Sequence, residues 1–265
     1  MARLWNLETG EPTVLAGHEE TVRHASFSPN GQQVVTTSGD HRVRLLNLET
    51  GESTVLGDHE DWVNYASFSP DGQQIVTASG DGTARLWNLE TGKFTVLKGH
   101  EDRVNHASFS PDGQQVVTAS GDGTARLWSV ETSEVLHVLE GHEDWVNHAS
   151  FSPDGQQVVT ASGDETALWD LQGRQLAIFE GYQGMFSPDG QQIAVVKDGK
   201  VQVYDVATLP ELLDWGCKWL HSYLEYGPAT DSDRAACNLP PRPEDLFEVA
   251  FEPIADAVSV SWPQP

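Results

Sequence analysis

The chain has 265 residues, with 15 Lys and Arg against 40 Asp and Glu, for a formal net charge of −25. That charge repels phosphate backbones and anionic membranes at long range, Arg42, Arg44 and Arg103 stand isolated among carboxylates, and no apolar run spans a bilayer, so neither nucleic acid nor a membrane is expected as a partner. Cys217 and Cys237 are too few for a disulfide framework, and with no signal-like N-terminal pattern the expected location is cytoplasmic.

The chain opens inside a repeat. Ala2–Gly10 reads ARLWNLETG and equals Ala84–Gly92 residue for residue. It therefore starts on the third strand of a four-strand unit, and two readings stand open. Residues from the C-terminal end close a ring, or the chain is a piece of a longer protein. The first whole copy covers Gly17–Leu56; His18, His59 and His100 are 41 residues apart, and His142 follows after 42. Within the third copy four apolar, β-branched or aromatic runs stand out: Val104–Phe109, Gln115–Ala119, Thr124–Val130 and Val135–Leu139. Turn signals (SPDG, SGDG, ETS and GH) separate them. Alternation without a helical period, together with Asp-Gly turns, predicts a four-stranded antiparallel sheet per copy. Such a sheet covers its faces by stacking radially on its neighbours, which gives a β-propeller.

The first copy carries Leu46 where Trp belongs, and His41-Arg42 in place of Gly-Thr. The fourth lacks one residue before Trp169, reading DETALW where copies two and three read DGTARLW. A deletion there shifts register unless a bulge or rebuilt turn absorbs it. The fifth is degenerate: Gly181-Tyr182 replaces Gly-His, Tyr204-Asp205 stands in the Trp-Asp place, and no fourth strand follows. Five or six blades, closed or gapped, fit the tally. Beyond residue 207, Leu209, Leu212, Leu213, Cys217, Leu220 and Leu224 recur at helical spacing to about Tyr226. Ser232-Asp233 reads as the cap of a short second helix. A Pro-rich linker follows, then two strand-like runs, Phe247–Phe251 and Val258–Trp262, which could supply strands to the first or fifth blade. The expected division is a propeller over 1–207, a helical tail over 208–238 and a linker with extra strands over 239–265.

The recurring GH, SPDG, SGDGT and LWN or LWD elements resemble the WD-repeat family, and Trp169-Asp170 is the literal pair. The resemblance covers roughly residues 1–207 and implies an all-β propeller whose blades are each braced by a hydrogen-bonded tetrad. The matching residues are His59, Ser79 (or Thr77, on the same face), Asp81 and Trp87; His100, Ser120, Asp122 and Trp128; and His142, Ser162, Asp164 and Trp169. The first copy keeps His18 and Asp40 but lacks the indole. The stretch Leu212–Cys237 resembles the end of cyanobacterial WD-repeat proteins, some of which carry a STAND-type NTPase module upstream.

The near-identical copies differ after their GHED or DHED loops. Thr21, Trp62, Arg103 and Trp145 share one position; His24, Tyr65, His106 and His148 share another. Thr21, Trp62, Tyr65, Arg103, His106, Trp145 and His148 are the candidate partner-binding residues, since exposed Trp and Arg anchor protein interfaces; the other reading is drift, with the rings lying over neighbouring blades.

Chemistry is sparse. His100 and His106 form H-E-x-x-x-x-H, which lacks the spacing of a zinc helix. Ser, His and Asp recur in every good copy, as bracing does and a catalytic set does not. No phosphate loop or calcium loop is present. No catalytic residue, metal or cofactor is expected. The expected role is a non-catalytic interaction platform for a protein partner, extended by the tail resemblance to the sensor end of a larger STAND-like signalling protein. A structural module completed by a second chain is the alternative, with self-association if the ring is incomplete; a propeller-hosted hydrolase or an ion-binding module comes after it.

Overall fold

The computed structural model describes residues 2–206; the expected helices and strand-like runs of the C-terminal stretch lie outside the described residues. Every regular element described is a β-strand. A two-stranded sheet comes first, β1 (Ala2–Trp5) with β2 (Pro12–Leu15). Blade 1 follows as β3 (Val22–Phe27), β4 (Gln33–Ser38), β5 (Arg42–Asn47) and β6 (Ser53–Asp58). Blade 2 is β7 (Val63–Phe68), β8 (Gln74–Ser79), β9 (Ala84–Asn88) and β10 (Phe94–Leu97). Blade 3 is β11 (Val104–Phe109), β12 (Gln115–Ser120), β13 (Ala125–Ser129) and β14 (Val135–Leu139). Blade 4 is β15 (His148–Phe151), β16 (Gln157–Ala161), β17 (Glu165–Asp170) and β18 (Gln175–Glu180). Blade 5 has three strands, β19 (Tyr182–Phe186), β20 (Gln192–Lys197) and β21 (Lys200–Asp205). All pairings are antiparallel between sequence neighbours, as the Asp-Gly and Ser-Pro-Asp-Gly turns dictate.

The SPDG turn shows why the first hairpin forms. Ser69 Oγ donates to Asp71 Oδ1 at 2.6 Å and accepts the Gln74 N–H at 2.9 Å, while Asp71 Oδ1 accepts the Gln73 N–H. Gly72 sits at φ +71°, a conformation open to glycine at little cost. Blades 3 and 4 repeat the turn bond for bond.

The cores lie between blades. Each sheet has a forward face toward the next blade and a backward face toward the previous one. Val76, Ala78, Ala84, Leu86 and Leu97 of blade 2 pack on Val104, Ala107, Val116 and Trp128 of blade 3. Blade 3 meets blade 4 through the equivalent residues, Leu127 and Leu139 against Ala149 and Trp169 among them. Full burial of each Leu or Val side chain stabilises by about 1.5–3 kcal/mol, so every joint is a substantial core of its own. Polar bridges add to it: Asn64 Nδ2 donates to Val104 O at 2.9 Å, and Ser67 Oγ to Ala107 O at 3.2 Å; Asn105 and Ser108 repeat both bonds onto blade 4. Blade 5 drops the polar brace. Val195 and Tyr204 occupy the places of the tetrad Thr and Trp, and Tyr204 packs on Phe179 with ring centroids 4.7 Å apart.

Candidate functional site

The tetrads form around a threonine: in blade 2 it is Thr77, the alternative to Ser79, and in blades 3 and 4 Thr118 and Thr160 stand where Ser120 and Ser162 are expected. In blade 2 the indole Nε1 of Trp87 donates to Thr77 Oγ1 at 2.9 Å, and Thr77 Oγ1 lies 2.8 Å from His59 Nε2. An indole N–H only donates, so the Thr oxygen accepts it and its own proton goes to His59 Nε2. His59 Nδ1 then carries the ring proton and donates it to Asp81 Oδ2 at 2.8 Å. Blade 3 repeats this with Trp128, Thr118, His100 and Asp122 at 2.7–2.8 Å. In blade 1, His18 bridges Asp40 and Thr36, each at 2.9 Å, and Leu46 leaves the indole place without a donor.

Ser79 and Ser120 are the correction. Two residues along a strand is about 6.6 Å, so the serine stands beyond the reach of the indole even though it shares the threonine's face. Ser79 Oγ instead faces the carbonyls of Asp61 and Trp62 at 3.2 and 3.0 Å and accepts the Asp81 N–H at 3.1 Å. Ser120 does the same for Asp102, Arg103 and Asp122. These serines tie the brace to the loop that carries Trp62 or Arg103.

Blade 4 departs further. Thr160 accepts from Trp169 Nε1 at 2.7 Å and meets His142 Nε2 at 2.6 Å, so Ser162 is again outside the set. Asp164 is outside it too. The missing residue puts Glu165 beside His142, with Oε1 3.3 Å from Nδ1, yet neither atom has a hydrogen-bond partner. Burial raises the Glu165 carboxyl above its usual range, and the charges of Asp164 and Glu143 raise it further. The carboxylates of blades 2 and 3 behave oppositely. Burial alone would raise Asp122, but hydrogen bonds from Thr124, His100 and the Glu101 N–H outweigh it and bring the group down to about 2. Asp81 is lowered for the same reasons. Burial holds His59, His100 and His142 below the ordinary imidazole value, in the neutral form the tetrad requires.

Of the two variable positions, only one faces outward. Tyr65, His106 and His148 do not sit on an exposed loop; they leave the first strands of their blades and stack with His24. Centroid separations along this column are 3.8 Å (His24–Tyr65), 3.9 Å (Tyr65–His106) and 4.2 Å (His106–His148). A register shift just before Tyr65 and before His106 turns each ring toward its counterpart one blade on. His106 is buried, and Nδ1 of His24, His106 and His148 has no partner.

Thr21, Trp62, Arg103 and Trp145 lie at the GHED ends of the blades. Trp62 is 38% exposed and Trp145 50%. Each indole carries a guanidinium from the preceding blade: Arg23 is 4.8 Å from the Trp62 ring centroid, and Arg103 is 4.0 Å from that of Trp145. Arg23 escaped the sequence reading because it occupies the position of the bridging Asn64, not that of Trp62; it still reaches Asn64 Oδ1 at 3.4 Å. Gly80 also escaped notice. A Cβ there would collide with the indole of Trp62, so the glycine of SGDG is what lets the ring lie down. Carboxylates surround this face: Glu19, Glu20, Glu60, Asp61, Glu101, Asp102, Glu143 and Asp144. At the opposite, SPDG end, a cavity of 470 Å³ is lined by serines, phenylalanines and turn prolines from blades 2 to 5, with His148 and Met185.

No helix among the described residues is long and apolar enough to cross a membrane, and no group of His, Cys, Asp or Glu among them could hold a metal ion. A comparison of the whole chain with curated proteins finds no match. A family model, the WD domain, G-beta repeat, matches residues 11–47, 51–88, 92–129 and 133–170. The second match begins just before β6 and ends with β9, so each sequence repeat takes its first strand from the outer edge of one blade and the other three from the next. Repeats of this kind generally serve as protein-interaction scaffolds. The matches cover more than half of the chain, and the chain belongs to the WD40 family.

Proposed function

We propose that the chain is a non-catalytic platform for a protein partner and works through the face where the GHED loops emerge. The observation that carries this reading is the pair of Arg–Trp stacks, Arg23 with Trp62 and Arg103 with Trp145, each bridging two blades with the indole left open to solvent. A ring already held in place loses little freedom when a partner covers it, so its burial converts efficiently into affinity. Ser79 and Ser120 add to that order by holding the loop carbonyls from beneath. The acidic surround supports a protein partner over nucleic acid or an anionic membrane.

The groups that could do chemistry are already engaged. The imidazoles of His59 and His100 are neutral, enclosed and engaged on both nitrogens, and the nearby serine hydroxyls face backbone carbonyls. None is free to act as base or nucleophile. A sensor role in a STAND-like protein, and a cytoplasmic setting for it, rest on the resemblance of Leu212–Cys237 and on the composition. The test is a side-by-side capture experiment with the wild-type chain and the Trp62→Ala/Trp145→Ala double variant at matched melting temperature. Partners held by the wild type and lost by the variant are expected; an identical set on both would overturn the reading.

A further inference from the structure

Blade 4 differs from its neighbours in how the carboxylate beside its histidine is answered. In blades 2 and 3 the hydroxyls of Thr83 and Thr124 donate to Asp81 and Asp122 at 2.6 and 2.7 Å. A guanidinium stands by as well: Arg85 Nη2 is 3.5 Å from Asp81 Oδ2, and Arg126 acts on His100 from the same strand position. Thr77 pairs with Arg85, Thr118 with Arg126 and Thr160 with Ala167. The one-residue deletion thus puts alanine in the place of the arginine, and Glu165 in the place of the donating threonine. Blade 4 loses two donors there and gains a carboxylate.

Glu165 Oε1 is enclosed and has no hydrogen-bond partner, and the charges acting on the group are those of Asp164 and Glu143. No Lys or Arg among the described residues pairs with any of these three acids. Behind them His142, its side chain 0% exposed, aims an unpartnered Nδ1 at Glu165 from 3.3 Å. Thr160 accepts from the indole and gives its own proton to His142 Nε2, so Nδ1 carries the ring hydrogen. Burial holds the ring neutral, and it brings no positive charge to the corner.

We propose that this corner of blade 4, Glu165 with Asp164 and Glu143, takes an arginine side chain of the protein partner, which supplies from outside the cation that Arg85 and Arg126 supply from within. Ala167 is buried, so the guanidinium arrives from the open side of Glu165, which is 31% exposed. The acids do not form a metal-ion group. A planar guanidinium with five N–H donors engages carboxylates that a single ion cannot gather. Asp144 joins the corner to Trp145: its Oδ1 accepts the Trp145 N–H at 2.7 Å, and its Oδ2 lies over Gly163, next to Asp164. The partner is the one that the GHED face receives, so the proposal rests on the platform reading.

The test is an NMR titration of the full chain at low salt and pH 7 with N-acetyl-arginine amide, and with N-acetyl-citrulline amide as the uncharged isostere. The arginine derivative is expected to shift the Glu165 carboxyl carbon saturably at about millimolar concentration, and the citrulline derivative to leave it unmoved. Glu165→Gln should weaken binding about tenfold, and Asp164→Asn, at an exposed position, about threefold. In the capture experiment, Glu165→Gln at matched melting temperature should lose partner that the wild type holds. Equal effects of the two derivatives, no shift at Glu165, or full retention of the partner by Glu165→Gln would overturn the proposal. Failure of the platform reading shows instead in capture by the Trp62→Ala/Trp145→Ala variant, and leaves the titration unchanged.

Discussion

His142 Nδ1 and Glu165 Oε1 lie 3.3 Å apart in blade 4, and neither atom has a hydrogen-bond partner. In blades 2 and 3 the same imidazole nitrogen donates to an aspartate at 2.8 Å. One deleted residue separates the two situations. The carboxylate of blade 4 is near enough to be counted as an ion pair, but burial and like charges raise it instead of a hydrogen bond lowering it. Glu165→Gln is therefore expected to change stability by less than about 0.5 kcal/mol, while Asp122→Asn, which removes a charged acceptor of several bonds, costs about 2 kcal/mol. Urea unfolding of the two variants checks this; equal losses would mean that the blade 4 carboxylate braces after all.

The hydroxyl at the centre of each tetrad gives a sharper contrast. Thr118→Val leaves His100 Nε2 and Trp128 Nε1 buried without a partner, at a cost of about 3 kcal/mol. Ser120→Ala removes bonds to the carbonyls of Asp102 and Arg103 and costs about 1 kcal/mol. A larger loss for the serine would return it to the tetrad.

Gly80 controls the Trp62 ring from beneath. Gly80→Ala is expected to lift the indole off the sheet, changing tryptophan fluorescence and weakening partner binding, at less than about 1 kcal/mol in stability because the ring swings into solvent. Unaltered fluorescence would show that the glycine does not set the ring's position.

Six imidazoles, those of His24, His59, His100, His106, His142 and His148, are lowered, each chiefly by burial. The unfolded chain binds protons at these groups near pH 6.5 while the folded chain does not. Stability is thus full above that pH and falls as pH drops below it, by up to about 1.4 kcal/mol per pH unit for each histidine. Asp122 adds a second loss at lower pH, because its folded value of about 2 lies below the unfolded one. The urea midpoint should drop between about pH 7.5 and about pH 5.5, and His106→Phe should flatten that drop, since burial holds His106 well below the ordinary imidazole value. A flat profile for the wild type would contradict it.

Much of this was legible in the residues, and the misses have physical causes. Copy three shows its strands almost to the residue, because β-branched alternation and Asp-Gly turns leave little choice of register. The half-sheet at Ala2–Leu15 followed from the same repeat. Thr77 and Ser79 could not be ranked, because a period of two places both on one face and only the level of the indole along the strand decides between them. The His24–Tyr65–His106–His148 column was hidden by the local register shift, which turns inward a position that loop reasoning assigns to the surface. Arg23 was hidden because its partner Trp62 belongs to another blade.

The most direct measurement is exchange of the indole N–H protons, followed by NMR in the free chain and with a captured partner. Trp87, Trp128 and Trp169 should exchange slowly in both states, since each donates to a buried threonine. Trp62 and Trp145 should exchange fast alone and slow down on binding. Rapid exchange at the first three, or no added protection at the last two, would contradict a fold braced from within that works through its GHED face.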